Sequence, residues 1–109
     1  MENKPVCEIG AYGTKFWYLN RLQHREDGPA VEYTSGLKIW YKHGERHRLD
    51  GPAVEYPDNL GKSNWYINDA NVTNKIIKWA ENNDIDLDNL TEVDKALIKL
   101  TWADYGKYT

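Results

Sequence analysis

Cysteine occurs once in this chain of 109 residues, and so does phenylalanine. The lone Cys7 cannot close an internal disulfide, so a reducing compartment, the cytoplasm, is expected. No apolar run approaches the roughly 20 residues of a membrane span. Residues 1–5 lack the basic-then-apolar layout of a secretion signal. Charge of one sign is missing too. Fourteen Lys and Arg face 17 Asp and Glu, for a net charge of −3. Residues 1–69 hold nine basic and ten acidic side chains, and residues 70–109 five and seven. That even spread argues against a nucleic-acid coat, which needs a basic face, and against an acidic DNA mimic. What is abundant is aromatic: 14 residues, five of them Trp, in a chain 40% hydrophobic and 28% charged. Such a chain is too apolar for disorder and long enough for one domain with a core of its own.

The aromatics are not scattered. His24-Arg25-Glu26-Asp27-Gly28-Pro29-Ala30-Val31-Glu32-Tyr33 returns as His47-Arg48-Leu49-Asp50-Gly51-Pro52-Ala53-Val54-Glu55-Tyr56, nine of ten positions identical at an offset of 23. A second pattern, Gly-x-x-x-Trp-Tyr, ends at Tyr18, Tyr41 and Tyr66, and each Tyr is followed two residues later by Asn20, His43 or Asn68. Pro5-Val6-Cys7-Glu8-Ile9 reads as a degraded opening of copy one. Repeats of this period signal stacked supersecondary units. Each unit reads as a β-hairpin. Its first strand is residues 29–33 or 52–56, entered through an Asp-Gly turn, and its second is residues 14–19, 37–42 or 62–67. The hairpin tips differ in length, and the stretch from Asn20 or His43 to the next Pro reads as a long connection. Alternation puts Val31, Tyr33, Ile39 and Tyr41 on one face, expected inward, and Trp40 on the other with Lys38, Lys42 and Glu32.

After Asp69 the pattern turns helical. Residues 73–81 read as a helix capped by Asn71 or Thr73, with Ile76, Ile77 and Ala80 on its apolar side. Thr91-Glu92-Val93-Asp94 resembles a capping box opening a helix to about Ala103, with Val93, Ala96, Leu97 and Leu100 as the stripe expected to face the sheet. The expected fold is α+β in one domain: an antiparallel meander of three repeated hairpins over residues 5–69, packed by two helices in 70–109.

The hairpin period and the Gly-x-x-x-Trp-Tyr pattern resemble MORN-type repeats. The block His-Arg-x-Asp-Gly-Pro-Ala is similar to repeats of small bacteriophage and bacterial proteins, and the resemblance covers roughly residues 5–68. It implies a repeat scaffold that binds partners and performs no catalysis. For a phage-encoded chain it implies an accessory protein that binds and modulates a host defence protein in the host cytoplasm. The dense Tyr-x-Gly-x-Trp and Gly-x-Gly spacing on which lipid contact would rest is absent.

His24 with Asp27 and His47 with Asp50 pair an imidazole with a carboxylate, a combination suited to acid–base chemistry. Their duplication within a turn favours a structural role, Asp holding the Gly-Pro turn and His or Arg bonding backbone carbonyls. Cys7 and His43 stand at no zinc-ligand spacing. Asp84-x-Asp86-x-Asp88 opens like a calcium loop, but Asn89 and Lys95 replace the Gly and Glu such a loop requires. No phosphate loop or nucleophile constellation is present, so no catalytic residue, metal or cofactor is expected. Trp17, Trp40 and Trp65, with Arg25, Arg48, His24 and His47, are the expected partner-binding set. The same indoles could instead pack repeat on repeat, or stack a nucleotide or single-stranded nucleic acid with the arginines on phosphate.

Overall fold

The computed structural model describes residues 4–57 and 61–107. Val6–Ile9 (β1) pairs antiparallel with Lys15–Leu19 (β2) around a short 3-10 turn at Ala11–Gly13. β2 pairs onward with Leu22–Gln23 (β3) and with Val31–Glu32 (β4). Lys38–Ile39 (β5) and Val54–Glu55 (β8) extend the main ladder in the order β1-β2-β4-β5-β8. Asn64, bridged to Val54, brings copy three to its edge. The architecture is the expected α+β antiparallel meander with two helices toward the C-terminus. The tip of the third hairpin crosses residues 58–60, outside the described residues.

The stretch read as a long connection is shorter and more ordered than expected. Asn20-Arg21, His43-Gly44 and Asn68-Asp69 are two-residue turns in which both members have positive φ, between 49° and 82°. Such turns match the right-handed twist of the strands they join, and Asn, Asp and Gly tolerate the conformation best. Each therefore closes a tight hairpin: β2 with β3, Tyr41–Lys42 (β6) with Glu45–Arg46 (β7), and Tyr66–Ile67 (β9) with Ala70–Asn71 (β10). Gly44 N–H donates to the Gln23 carbonyl and Asp69 N–H to the Arg46 carbonyl, both at 2.9 Å, so each tip docks on the one before.

Two ladders thus run side by side, and the tryptophans sit where they part. Trp17 N–H donates to Ala30 O (2.8 Å) in the main ladder, while Trp17 O accepts from His24 N–H (3.0 Å) in the other. Trp40 repeats this with Ala53 (2.7 Å) and His47 (3.1 Å). Residues 37–42, expected as one strand, accordingly break at Trp40. Among the described residues no strand continues the main ladder beyond copy three, and the Thr73 hydroxyl takes the Trp65 N–H instead, at 3.0 Å.

The register explains the block's composition. Tryptophan alternates with a fully buried alanine, Ala30 or Ala53, across the main ladder, so large and small side chains interleave. On the same face Lys15, Glu32, Lys38 and Glu55 stand opposite one another in succession. The two glutamates form their ion pairs with the block arginines, Glu32 with Arg25 at 3.4 Å and Glu55 with Arg48 at 3.8 Å. On the other face Val31 is buried and Ile39 and Tyr41 are half-buried, while Tyr33 is exposed.

The core lies under copy three. Trp65, Ile67 and Val72 meet Ile76 of Thr73–Asn82 (α1) and Ile98 and Trp102 of Glu92–Trp102 (α2). Asn71 Oδ1 accepts from Thr73 N–H (3.0 Å) at the start of α1, and Ile77, expected on its apolar side, is exposed. The capping box of α2 is formed: Asp94 N–H donates to Thr91 Oγ1 and Thr91 N–H to Asp94 Oδ2, both at 3.0 Å. The stripe of α2 corrects the sequence reading. Val93, Ala96, Leu97 and Leu100 face away from the core, and Ile98 and Trp102 face into it. α2 has apolar residues on both sides, and the side with the indole wins because Trp102 packs edge-on against Trp79 and beside Tyr105. No helix among the described residues is long and apolar enough to cross a membrane.

Candidate functional site

The repeated block builds one clamp twice. The Arg25 guanidinium lies over the Trp17 ring, its Cζ 3.9 Å from the centroid, and Arg48 lies over Trp40 at 3.7 Å. Each is held from three more directions. Arg25 Nε donates to Asp27 Oδ1 (3.2 Å) and Nη1 to Pro29 O (3.1 Å), with Glu32 Oε2 at 3.4 Å. Arg48 repeats the set with Asp50 (2.9 Å), Pro52 O (3.1 Å) and Glu55 (3.8 Å). The glycine leaves the guanidinium room to sit there. A Cβ at Gly28 would stand 2.9 Å from Arg25 Cζ, and one at Gly51 2.6 Å from Arg48 Cζ.

The histidines tie copy to copy. His24 Nδ1 accepts from His43 N–H and His47 Nδ1 from Asn68 N–H, each at 2.9 Å. Accepting a backbone N–H requires Nδ1 to carry no proton, so His24 Nε2 bears the proton it shares with Glu26 Oε1 at 3.0 Å. Copy two has Leu49 where copy one has Glu26. Burial, with Lys42 and Lys107 nearby, holds His47 below the ordinary imidazole value, and Glu26 partly offsets this.

The residues expected to meet a partner therefore separate. Trp17 and Trp40 are half-buried beneath their arginines, His47 is half-buried, His24 is only 2% exposed, and Trp65 lies in the core at 5%. Arg25 and Arg48 keep 23% and 19% of their side chains exposed and open onto a single groove of about 540 Å³. The groove runs between the two loops of the repeated block and α2. Three lysines that the sequence reading passed over, Lys42, Lys95 and Lys99, line it beside Glu26, Asp27 and Asp50. With the arginines they make five cations on the groove wall, most of them already ion-paired: Arg25 with Asp27 and Glu32, Arg48 with Asp50 and Glu55, Lys42 with Glu26 and Lys95 with Glu92. Helical spacing places Lys95 and Lys99 on one side of α2, which was the signal available in the sequence.

The Asp84-Asp86-Asp88 segment is a turn. Asp86 Oδ2 accepts from Asn89 Nδ2 (3.1 Å) and Oδ1 from Asp88 N–H (2.9 Å), and these bonds, the first above all, hold its carboxyl below the usual range. Among the described residues no three His, Cys, Asp or Glu side chains are grouped to hold a metal ion. The chain matches no family model, no curated protein and no solved structure.

Proposed function

We propose that this protein is a non-enzymatic protein-binding module whose contact surface is the groove between the repeated loops and α2. The observation that carries this reading is the pair of part-exposed arginines, each fixed on an indole and both opening on one groove with three lysines. Arg and Trp are favoured hot-spot residues, and a side chain already locked in place loses little entropy when a partner binds. The engagement of both block histidines with backbone N–H groups supports a role without acid–base chemistry. The groove wall mixes cations with the carboxylates that pair them, which fits a polar partner surface able to exchange into those pairs. The resemblance of the repeats to those of small phage and bacterial proteins supports an accessory protein that binds and modulates a host defence protein.

A second reading, nucleotide or single-stranded nucleic-acid binding, draws on the same five cations. Against it, the arginines already occupy the ring faces of Trp17 and Trp40 on which a base would stack. Titrating the tryptophan fluorescence with oligonucleotides at low salt separates the two. A flat response is expected, and saturable, salt-sensitive quenching would favour the second reading.

A further inference from the structure

α2 is apolar on two opposite sides. Ile98 and Trp102 enter the core, whereas Val93, Ala96, Leu97 and Leu100 form an outward stripe at helical spacing. Val93 is 68% exposed and Leu100 83%. A contiguous row of this kind differs from the single exposed leucines that any surface carries.

The stripe is complementary to itself. Its midpoint falls between Ala96 and Leu97, with Val93 and Leu100 equally far on either side. Two copies of α2 crossing antiparallel about a two-fold axis therefore set Val93 against the second copy's Leu100. The small Ala96 lies opposite the second copy's Leu97 and lets the helices approach closely. The charges fit the same arrangement. Glu92 and Lys99 lie two turns apart on one flank of the stripe. Antiparallel packing brings like flanks together in reverse order, so Glu92 of each copy meets Lys99 of the other, twice over. The present partner of Glu92 is Lys95 at 3.1 Å, an exposed pair that is easily given up.

We propose that this protein self-associates through the outward face of α2, the occupant being α2 of a second copy. An eleven-residue helix is about 16 Å long, so the contact falls below the roughly 1,200 Å² of a standard stable interface. The association is correspondingly weak, with a dissociation constant on the order of 10–100 μM.

Sedimentation of the full chain from about 5 to about 500 μM brackets that value. The mean mass is expected to climb from 12.7 kDa toward twice that. Leu100→Asp, at an exposed position, is expected to keep the native circular dichroism and stay monomeric throughout. Lys99→Glu should weaken association about tenfold, the effect of losing both cross-pairs, and adding Glu92→Lys should restore it. A monomer at every concentration overturns the proposal, as does a dimer untouched by Leu100→Asp or a charge reversal that Glu92→Lys fails to rescue. Lys99 also lines the groove, but Lys42 and Lys95 lie off the stripe and Leu100 off the groove, so failure here leaves the groove reading standing.

Discussion

At the residue scale, the most demanding position is a glycine without an unusual backbone. Gly51 has no left-handed φ, yet a methyl group there would stand 2.6 Å from Arg48 Cζ. Gly51→Ala must displace the flexible end of Arg48 against its contacts with Trp40, Asp50 and Pro52 O. The expected loss is about 1–2 kcal/mol, since a partly desolvated cation–π contact and a charge-assisted hydrogen bond go together. Urea unfolding measures it. Arg48→Lys should lose a similar amount, because an ammonium cannot lie flat on the ring and fork to two oxygens. His47 gives a pH dependence. Its folded value is lowered, so the folded state disfavours its proton. The stability it contributes is present above the unfolded value of about 6.5 and is lost as pH falls from there through the folded value. His47→Asn puts an oxygen acceptor near the Nδ1 position and does not titrate. Unfolding curves between about pH 7.5 and pH 5 should be flatter for this variant than for the wild type.

At the element scale, the two sides of α2 differ in what they hold. Ile98 is fully buried and Leu100 is 83% exposed. Ile98→Ala is expected to cost about 2–5 kcal/mol and Leu100→Ala within about 0.5 kcal/mol, both by chemical denaturation of the dilute monomer. Thr91→Ala removes the cap and should cost about 1 kcal/mol. Much of this was legible in the sequence. The capping box at Thr91 and Asp94, both helices and the pairing of the repeated strands follow from spacing. The choice of face did not, because α2 carries apolar residues on both sides and the packing of Trp102 against Trp79 and Tyr105 decides between them. The tight turns were hidden for a related reason. Asn20-Arg21 and Asn68-Asp69 lack the glycine that marks such turns, and Arg21 adopts a φ of 69° that its side chain does not favour. With those turns read as loops, the approach of Arg25 to Trp17 stayed out of sight. Identity between copies singled out the block but could not say whether its residues bind inward or outward. Most of them bind inward, and the lysines beside them complete the groove.

At the scale of the whole molecule, the chain is a short repeat array closed at one end. Copy one ends in β1, a strand exposed along its length, while copy three ends beneath α1 and α2. The helices take the place of the next copy: Thr73 supplies the acceptor for Trp65 N–H, and Asn68 Nδ2 donates to Ala103 O (2.9 Å) and Tyr105 O (2.8 Å). Arrays of this kind depend on such caps. A chain ending at residue 72 would bare Trp65 and Ile67 and is expected to lose cooperative unfolding, as followed by near-ultraviolet circular dichroism. The closed end also forms one wall of the groove, so the proposed contact surface and the capping of the array meet at α2. The most direct test of the binding reading is capture from a bacterial lysate by the wild type beside a Lys42→Glu, Lys95→Glu double variant of matched circular dichroism. A stable partner retained by the wild type and lost by the variant is the expected result. No partner, or one held equally by both, would contradict it.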